Sequence, residues 1–343
     1  MIRIGIVGAS GYSGETLVEL LASHPEAELA AVTSRSLAGT PVRSVFPRLA
    51  HRLGDLAFTA SEAADLAARD DLEAVFLALP HGVAASFARP LVDAGRTVID
   101  LSADFRLASP ERYREFYGQD HPDPDLLRDS AYVIPEWHSP EWRRKGLLAC
   151  PGCYPTSVLV PLLPLLGKGV LGTEGIVANS LSGVSGAGRK ATEDFSFCER
   201  AESARPYGQP KHRHLSEIEE QLEGASGRPV VLQFLPHLVP MRRGIVTTIS
   251  APDGDKGAAD VLGAWEETYG DRPFVRILRE EDGLPETKNV VGTNRIDLAV
   301  RHDRRTGRLL LTSAEDNLLK GASGQAVQLL NLKFGYPETL GLP

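Results

Sequence analysis

Three cysteines in 343 residues are too few, and odd in number, to staple a fold. Disulfides are therefore not expected to hold this chain together, and a reducing cytoplasm is its expected compartment. Apolar runs of the ~18–20 residues needed to cross a bilayer are missing as well. The chain opens Met1-Ile2-Arg3-Ile4-Gly5 and passes straight into a strand pattern. Without a basic segment, apolar stretch and cleavage site in series, no secretory signal is expected. A basic surplus is also lacking: 37 Lys and Arg against 45 Asp and Glu give a net charge of −8. Nucleic-acid binders carry such a surplus or a basic stripe, so that class is set aside. There is no internal repeat or low-complexity tract. What remains is an ordinary globular composition, 42% hydrophobic and 24% charged, at a length that favours two domains over one core.

The first half reads as a nucleotide site. Ile2-Arg3-Ile4-Gly5-Ile6-Val7 is a short buried strand, Gly8-Ala9-Ser10-Gly11-Tyr12-Ser13-Gly14 a glycine turn, and Glu15–Leu21 an amphipathic helix pattern. Strand, glycine turn and helix together make the setting of a dinucleotide fingerprint, here spaced GxxGxxG rather than GxGxxG. The glycines let the backbone approach a pyrophosphate, and the helix start offers N–H donors. A second strand, Glu28–Val32, ends in Thr33-Ser34-Arg35-Ser36. NAD sites place an acid there; an Arg with hydroxyls suits a 2′-phosphate, so NADP(H) is the expected cofactor. Two more strands, Ala74–Leu79 and Thr97–Ser102, end near His81 and Ser102, both candidates to face the cofactor. Residues 102 to about 135 read as a polar, aromatic-rich loop. Within it Arg106 is a candidate anion clamp or a structural partner of Asp104.

Cys153 lies in Ala149-Cys150-Pro151-Gly152-Cys153-Tyr154-Pro155-Thr156, ahead of a helix pattern. A thiol at a helix start ionises more readily, because the N–H groups and the dipole stabilise the thiolate. Pro161 and Pro164 predict that this helix is kinked or broken. The Cys150/Cys153 spacing also fits a redox pair, but a redox pair would bring its own small fold, and a zinc site would bring a second ligand pair. No metal is expected. Asn179–Arg189 is a loop of Gly and hydroxyl residues that would present donors to a phosphate or oxyanion, or act as a connector. Lys211-His212-Arg213-His214 places a proton donor and an anion clamp within one short stretch. Ser313–Asn331 opens on polar, Gly-rich residues and becomes an amphipathic helix.

Seven of these segments occur in a fixed order. They are Gly8–Gly14, Leu79-Pro80-His81-Gly82, Leu101–Leu107, Pro151–Thr156, Ser182–Arg189, His212-Arg213-His214 and Asp316-Asn317-Leu318-Leu319-Lys320-Gly321. Together they resemble the N-acetyl-γ-glutamyl-phosphate reductases, relatives of aspartate-semialdehyde dehydrogenase, over essentially the whole chain. The resemblance implies an α/β fold: a Rossmann-type NADP-binding domain (1–149 and 314–343), an α+β catalytic and oligomerisation domain (150–313), and a C-terminal helix returning to the Rossmann domain. It implies Cys153 as nucleophile and His214 as acid/base. The NADP(H) site would comprise Gly8, Ser10, Gly11, Tyr12, Ser13, Ser34, Arg35 and Ser36, with Asn317 near the nicotinamide. Arg106, Ser185 and Arg213 would bind the substrate's phosphate and carboxylate. A small acyl phosphate, a role in arginine biosynthesis and a homo-oligomer, tetramer or dimer, are implied too. Cys150 departs from the family's usual non-thiol residue, and a Cys150–Cys153 bridge would silence the enzyme.

Two rival readings remain. A lysine-pathway homologue would reduce a 2-aminoadipate acyl phosphate carried on a small acidic protein, with Arg205, Lys211 and Arg213 as a basic rim. An NADP-sensing regulator without catalysis would bind the cofactor and turn nothing over.

Overall fold

A computed structural model describes residues 1–343. The chain forms two compact units, Met1–Gly152 with Ala322–Pro343, and Cys153–Gly321. The first boundary falls immediately before Cys153. The second follows Gly321, six residues beyond the end of that unit's last strand at Glu315. Eight helices have six or more residues: α1 (Tyr12–Leu21), α2 (Ala84–Asp93), α3 (Pro110–Tyr117), α4 (Pro124–Asp129), α5 (Cys153–Gly167), α6 (His214–Ser226), α7 (Ala258–Tyr269) and α8 (Gly324–Phe334).

The first unit is built on seven strands: β1 (Ile2–Val7), β2 (Ala27–Thr33), β3 (Phe58–Thr59), β4 (Ala74–Leu77), β5 (Thr97–Asp100), β6 (Ala131–Tyr132) and β7 (Leu147–Ala149). They are ordered β3-β2-β1-β4-β5-β7-β6 and every pairing is parallel. Strands covered on both faces need continuous apolar runs, and Ala74-Val75-Phe76-Leu77 is buried throughout. The order reverses between β1 and β4, and ligands of such sheets bind outside the strand ends at that reversal.

The stretch after β5, expected as a polar loop, holds two short helices. Each has a proline at its start behind a side-chain cap. Ser109 Oγ accepts from Arg112 N at 3.2 Å, and Asp123 Oδ1 accepts from Leu126 N at 2.9 Å. Ser-Pro and Asp-Pro were therefore legible capping signals.

α8 differs from the amphipathic helix expected of it. Gly324 to Asn331 are all buried, and the polar residues among them are met by their surroundings. Gln328 Nε2 donates to Glu136 Oε1 at 2.8 Å, and Asn331 Oδ1 pairs with His24 Nε2 at 2.9 Å. α8 packs beside α1, with Ser323 Oγ donating to Ser13 O at 2.9 Å, so the C-terminal segment returns to the nucleotide-binding unit.

The second unit is a mixed sheet of β8 (Ile176–Ser182), β9 (Arg205–Pro206), β10 (Leu232–Leu238), β11 (Ile245–Pro252), β12 (Val275–Ile277), β13 (Ile296–Asp303) and β14 (Arg308–Glu315), ordered β12-β13-β14-β11-β8-β10-β9. Its strands alternate: Ile245, Thr247, Ile249 and Ala251 are buried, whereas Val246, Thr248, Ser250 and Pro252 are not. One face lies under α5. Hydroxyls join the two layers, because Thr247 Oγ1 is 2.8 Å from both Ser157 Oγ and Ser180 Oγ. The other face carries Val177, Leu181, Leu235, Val246 and Leu310 in partial exposure.

Candidate active site

Cys153 is the first residue of α5, and the helix is continuous to Gly167, not broken at the two prolines within it. A proline inside a helix removes one N–H and strands the carbonyl four residues back. Both stranded carbonyls are recovered by side chains. Pro161 strands Ser157 O, which accepts from Ser313 Oγ at 2.6 Å. Pro164 strands Val160 O, which accepts from Tyr269 Oη at 2.8 Å, and Trp265 Nε1 donates to Pro161 O at 2.8 Å. Pro155, in the first turn, costs nothing, since its N–H would have had no partner. Every residue from Tyr154 to Leu166 is buried, so a rigid helix presents its N-terminal end at the thiol. That end stabilises a thiolate.

Gly321 closes against this position. A Cβ there would lie 2.8 Å from Cys153 Cβ and 2.8 Å from Glu315 Oε1. The last glycine of Asp316–Gly321 is thus required by packing against the thiol-bearing residue. Glu315, fully buried, stands on the same side of β14 as Ser313, facing α5. Sequence reasoning missed this carboxylate, because only the strand register brings it under the first turn of the helix.

A cluster of rings surrounds the next residue. Tyr154 packs edge-on against His212 (5.8 Å between centroids) and His214 (5.9 Å), with the two imidazoles 4.9 Å apart. Tyr207 Oη donates to Tyr154 Oη at 3.0 Å, and Tyr154 Oη donates to His237 O at 3.2 Å. Burial holds both phenols above their ordinary range, Tyr207 at about 12, and the neighbouring Tyr207 adds to the effect at Tyr154. Both are therefore protonated donors at neutral pH. Burial, with the Arg213 guanidinium second, pushes His212 down to about 4, so its imidazole is neutral. His214 begins α6, and Arg213 between the two histidines is exposed.

The Asn179–Arg189 loop holds a short 3₁₀ turn, Val184–Ala187. Five of its backbone donors are spent within the protein: the N–H groups of Gly183, Val184 and Ser185 donate to Gly244 O, Met241 O and Arg242 O, and those of Gly186 and Gly188 donate within the loop. What the loop presents is the Ser185 hydroxyl, which accepts from Asn317 Nδ2 at 3.0 Å and retains its own proton to give. Asn317 is buried, and its Oδ1 accepts from Gly244 N at 2.7 Å. Two residues expected to bind different ligands thus touch each other. Asp316 gathers Arg243 Nε (2.5 Å), Gly292 N (2.8 Å), Leu318 N (2.9 Å) and Leu319 N (3.1 Å).

In the first unit the glycine turn joins β1 to α1. Gly8 has φ +83, and a Cβ on it would lie 2.4 Å from Ala78 O, which only glycine permits. A Cβ at Gly14 would strike Gly8 O at 2.4 Å, so this residue lets the helix close on the turn. At Gly11 the nearest atom would be Gly8 O at 3.7 Å, leaving room for a ligand to approach. Gly11 caps α1 without a side-chain bond, and Tyr12 and Ser13 open the helix. Its N-terminal donors suit a pyrophosphate. Ser10 Oγ and Ser34 Oγ lie 3.0 Å apart, joining the ends of β1 and β2, and Arg35 and Ser36 beyond them are exposed. No carboxylate occupies the β2 end, and Arg35 is available to a 2′-phosphate. These residues fit NADP(H).

The ends of β5 and β7 carry a buried polar group. Asp100 accepts from Ser102 N (2.9 Å) and Ser102 Oγ (2.7 Å), and Cys150 N donates to Asp100 O at 2.8 Å. Burial, with Asp104 second, pushes Asp100 up to about 7. Asp104 accepts from Gly82 N (2.6 Å), Ala85 N (3.2 Å) and Tyr113 Oη (3.3 Å), fixing the start of α2. Arg106, also buried, donates from Nη2 to Leu101 O at 2.8 Å. Ser102 is engaged within this group, whereas His81 is exposed and packs near Tyr117. The three cysteines form no disulfide, and Cys150 Sγ donates to Ala322 O at 3.7 Å.

Two family models match this architecture. One, described as semialdehyde dehydrogenase, NAD binding domain, covers residues 3–144, and the other, semialdehyde dehydrogenase, dimerisation domain, covers residues 153–317. Solved structures share the fold. Aspartate semialdehyde dehydrogenase II from Vibrio cholerae gives a TM-score of 0.72 at 21% identity, covering 98% of each chain. The NADP-bound Candida albicans enzyme gives 0.71 at 17%, covering 97% of this chain and 98% of the other. Fold and site thus define an oxidoreductase of the semialdehyde dehydrogenase class. Closer relatives narrow this. The N-acetyl-gamma-glutamyl-phosphate reductase of Akkermansia muciniphila is 50% identical, over 99% of this chain and 98% of that protein. Those of Citrifermentans bemidjiense and Pseudomonas aeruginosa are 46% and 45% identical, each over 100% of this chain and 98% of theirs. The chain belongs to the N-acetyl-gamma-glutamyl-phosphate reductase family.

Proposed function

We propose that Cys153 is the nucleophile and His214 the acid–base group of an NADPH-dependent reductive dephosphorylation. The substrate is N-acetyl-L-glutamyl 5-phosphate and the product N-acetyl-L-glutamate 5-semialdehyde, a step of arginine biosynthesis. The observation that carries the assignment is the thiol on the first residue of a buried, unbroken helix.

Thiolate Cys153 attacks the acyl carbon, the C–O bond to phosphate breaks, and a thioester forms on the chain. The Ser185 hydroxyl and the Arg106 and Arg213 guanidiniums bind the anionic groups of the substrate and the departing phosphate. NADPH, held by Gly8, Ser10, Gly11, Tyr12, Ser13, Ser34, Arg35 and Ser36, supplies a hydride when bound. Collapse of the resulting thiohemiacetal breaks the C–S bond; His214 takes the hydroxyl proton, and the thiolate of Cys153 returns. Asn317 acts by bracing Ser185 and Gly244, and its expected place near the nicotinamide is part of the same reading. No step uses a metal.

The half-exposed apolar sheet face supports a homo-oligomer, dimer or tetramer, and reduced cysteines suit the cytoplasm. The domain division of the reading is a nucleotide-binding part and a catalytic, oligomerising part. Cys153→Ala tests the nucleophile: turnover is lost and NADPH affinity is kept. Normal turnover in that variant removes the assignment.

A further inference from the structure

His212 is the residue of the His-Arg-His stretch that the proposed reaction leaves without a role, and the structure surrounds it closely. α6 starts at His214 with Arg213 in the cap position and no side-chain cap from it. A helix start leaves N–H groups without intrahelical partners. Two of them are taken by His212: His214 N donates to its Nδ1 at 3.2 Å, and Leu215 N donates to its carbonyl at 2.9 Å.

The ring that provides Nδ1 is held from several sides. Its centroid is 5.8 Å from that of Tyr154, 5.5 Å from Tyr207 and 5.6 Å from Phe234. Gly208, at φ +64, approaches the opposite edge so closely that a Cβ would come within 2.6 Å of His212 Cδ2. A ring turned over about its Cβ–Cγ bond would put C–H against His214 N and Nδ1 against Gly208. An Nδ1 that accepts carries no proton, so the neutral ring holds its proton on Nε2.

We propose that His212 is a positioning residue: its unprotonated Nδ1 caps α6 at the amide of His214 and thereby fixes where the His214 imidazole stands. The adjacent histidines divide the work: His212 is a fixed acceptor and His214 exchanges protons. This rests on the reading of His214 as the acid–base group.

The test compares three variants with one spectrum of the unaltered protein. In His212→Asn the side-chain carbonyl takes the place of Nδ1 and nothing replaces Nε2. In His212→Gln the polar group sits near Nε2 and the Nδ1 position is lost, and His212→Ala removes both. Displacement of a catalytic group by about 1 Å costs ~100-fold. On that scale His212→Asn keeps kcat within about threefold, while His212→Gln and His212→Ala lose about 30- to 100-fold. KM for NADPH is unchanged in all three. Nitrogen NMR of histidine-labelled protein at pH 7 shows His212 Nδ1 bare and Nε2 protonated. Rescue by His212→Gln but not by His212→Asn overturns the proposal, because it puts the function at Nε2. So do wild-type rates in all three, an equal loss in all three, or a proton on Nδ1. Should His212→Asn fail to fold, the spectrum alone decides. Full turnover in His214→Ala with a bare Nδ1 on His212 sinks the acid–base reading and leaves the cap standing.

Discussion

The continuity of α5 through two prolines leads to a quantitative prediction about what holds Cys153 in place. Ser157 and Ser313 are both fully buried, and Ser157 O, deprived of its helical donor by Pro161, accepts from Ser313 Oγ at 2.6 Å. Ser313→Ala leaves that carbonyl buried without this donor, a loss of about 1–3 kcal/mol. Pro161→Ala restores a backbone N–H four residues after Ser157, so in that background the same serine substitution costs only ~0.5–1 kcal/mol. The four proteins form a double-mutant cycle with an expected coupling of about 1–2 kcal/mol. Urea unfolding at fixed protein concentration measures it, followed by tryptophan fluorescence, to which Trp265 contributes from its bond to Pro161 O. Additivity within ~0.5 kcal/mol would mean that Ser313 does not replace the missing helical bond, and the explanation of the unbroken helix would fail. Tyr269→Phe combined with Pro164→Ala repeats the test at Val160 O.

Other consequences concern the nucleotide-binding unit. Asp100 is held up to about 7 by burial and Asp104, so between pH 4 and 7 the folded state keeps a proton that the unfolded chain has released. Stability contributed by this group is therefore present in acid and falls as pH rises through that window, by about 4 kcal/mol. Asp100→Asn removes the dependence: its melting temperature gains on the wild type from pH 5 to pH 7, and parallel curves would contradict the burial argument. Arg35→Ala raises KM for NADPH by about 10- to 100-fold, from the loss of a charge-assisted bond, and leaves that for NADH unchanged. Equal effects on both cofactors would remove the 2′-phosphate assignment.

Local pattern carried much of this molecule. The strand, glycine turn and helix at 2–21 are visible because each glycine answers a local need, such as positive φ at Gly8 or close packing at Gly14. The helix pattern after Cys153 was legible too, and the helix begins at that residue. What sequence could not show depends on groups far apart in the chain. Pro161 and Pro164 read as breaks until Ser313 and Tyr269 supply the missing donors. α8 read as amphipathic because its Gln and Asn side chains find buried partners 300 or more residues away in one case, His24 with Asn331, and at Glu136 in another. Glu315 emerges only from strand register. The donors expected of Gly183, Val184 and Ser185 were invisible as spent ones until the β10–β11 connection was placed against them.

The central claim is that this chain carries its substrate as a thioester on Cys153. Mass spectrometry of protein mixed with N-acetyl-γ-glutamyl phosphate in the absence of NADPH tests it most directly. The account predicts one N-acetylglutamyl group mapped to the peptide containing Cys153, with one phosphate released per site. Phosphate release with Cys153 unmodified, or an acyl group mapped to another residue, would contradict it.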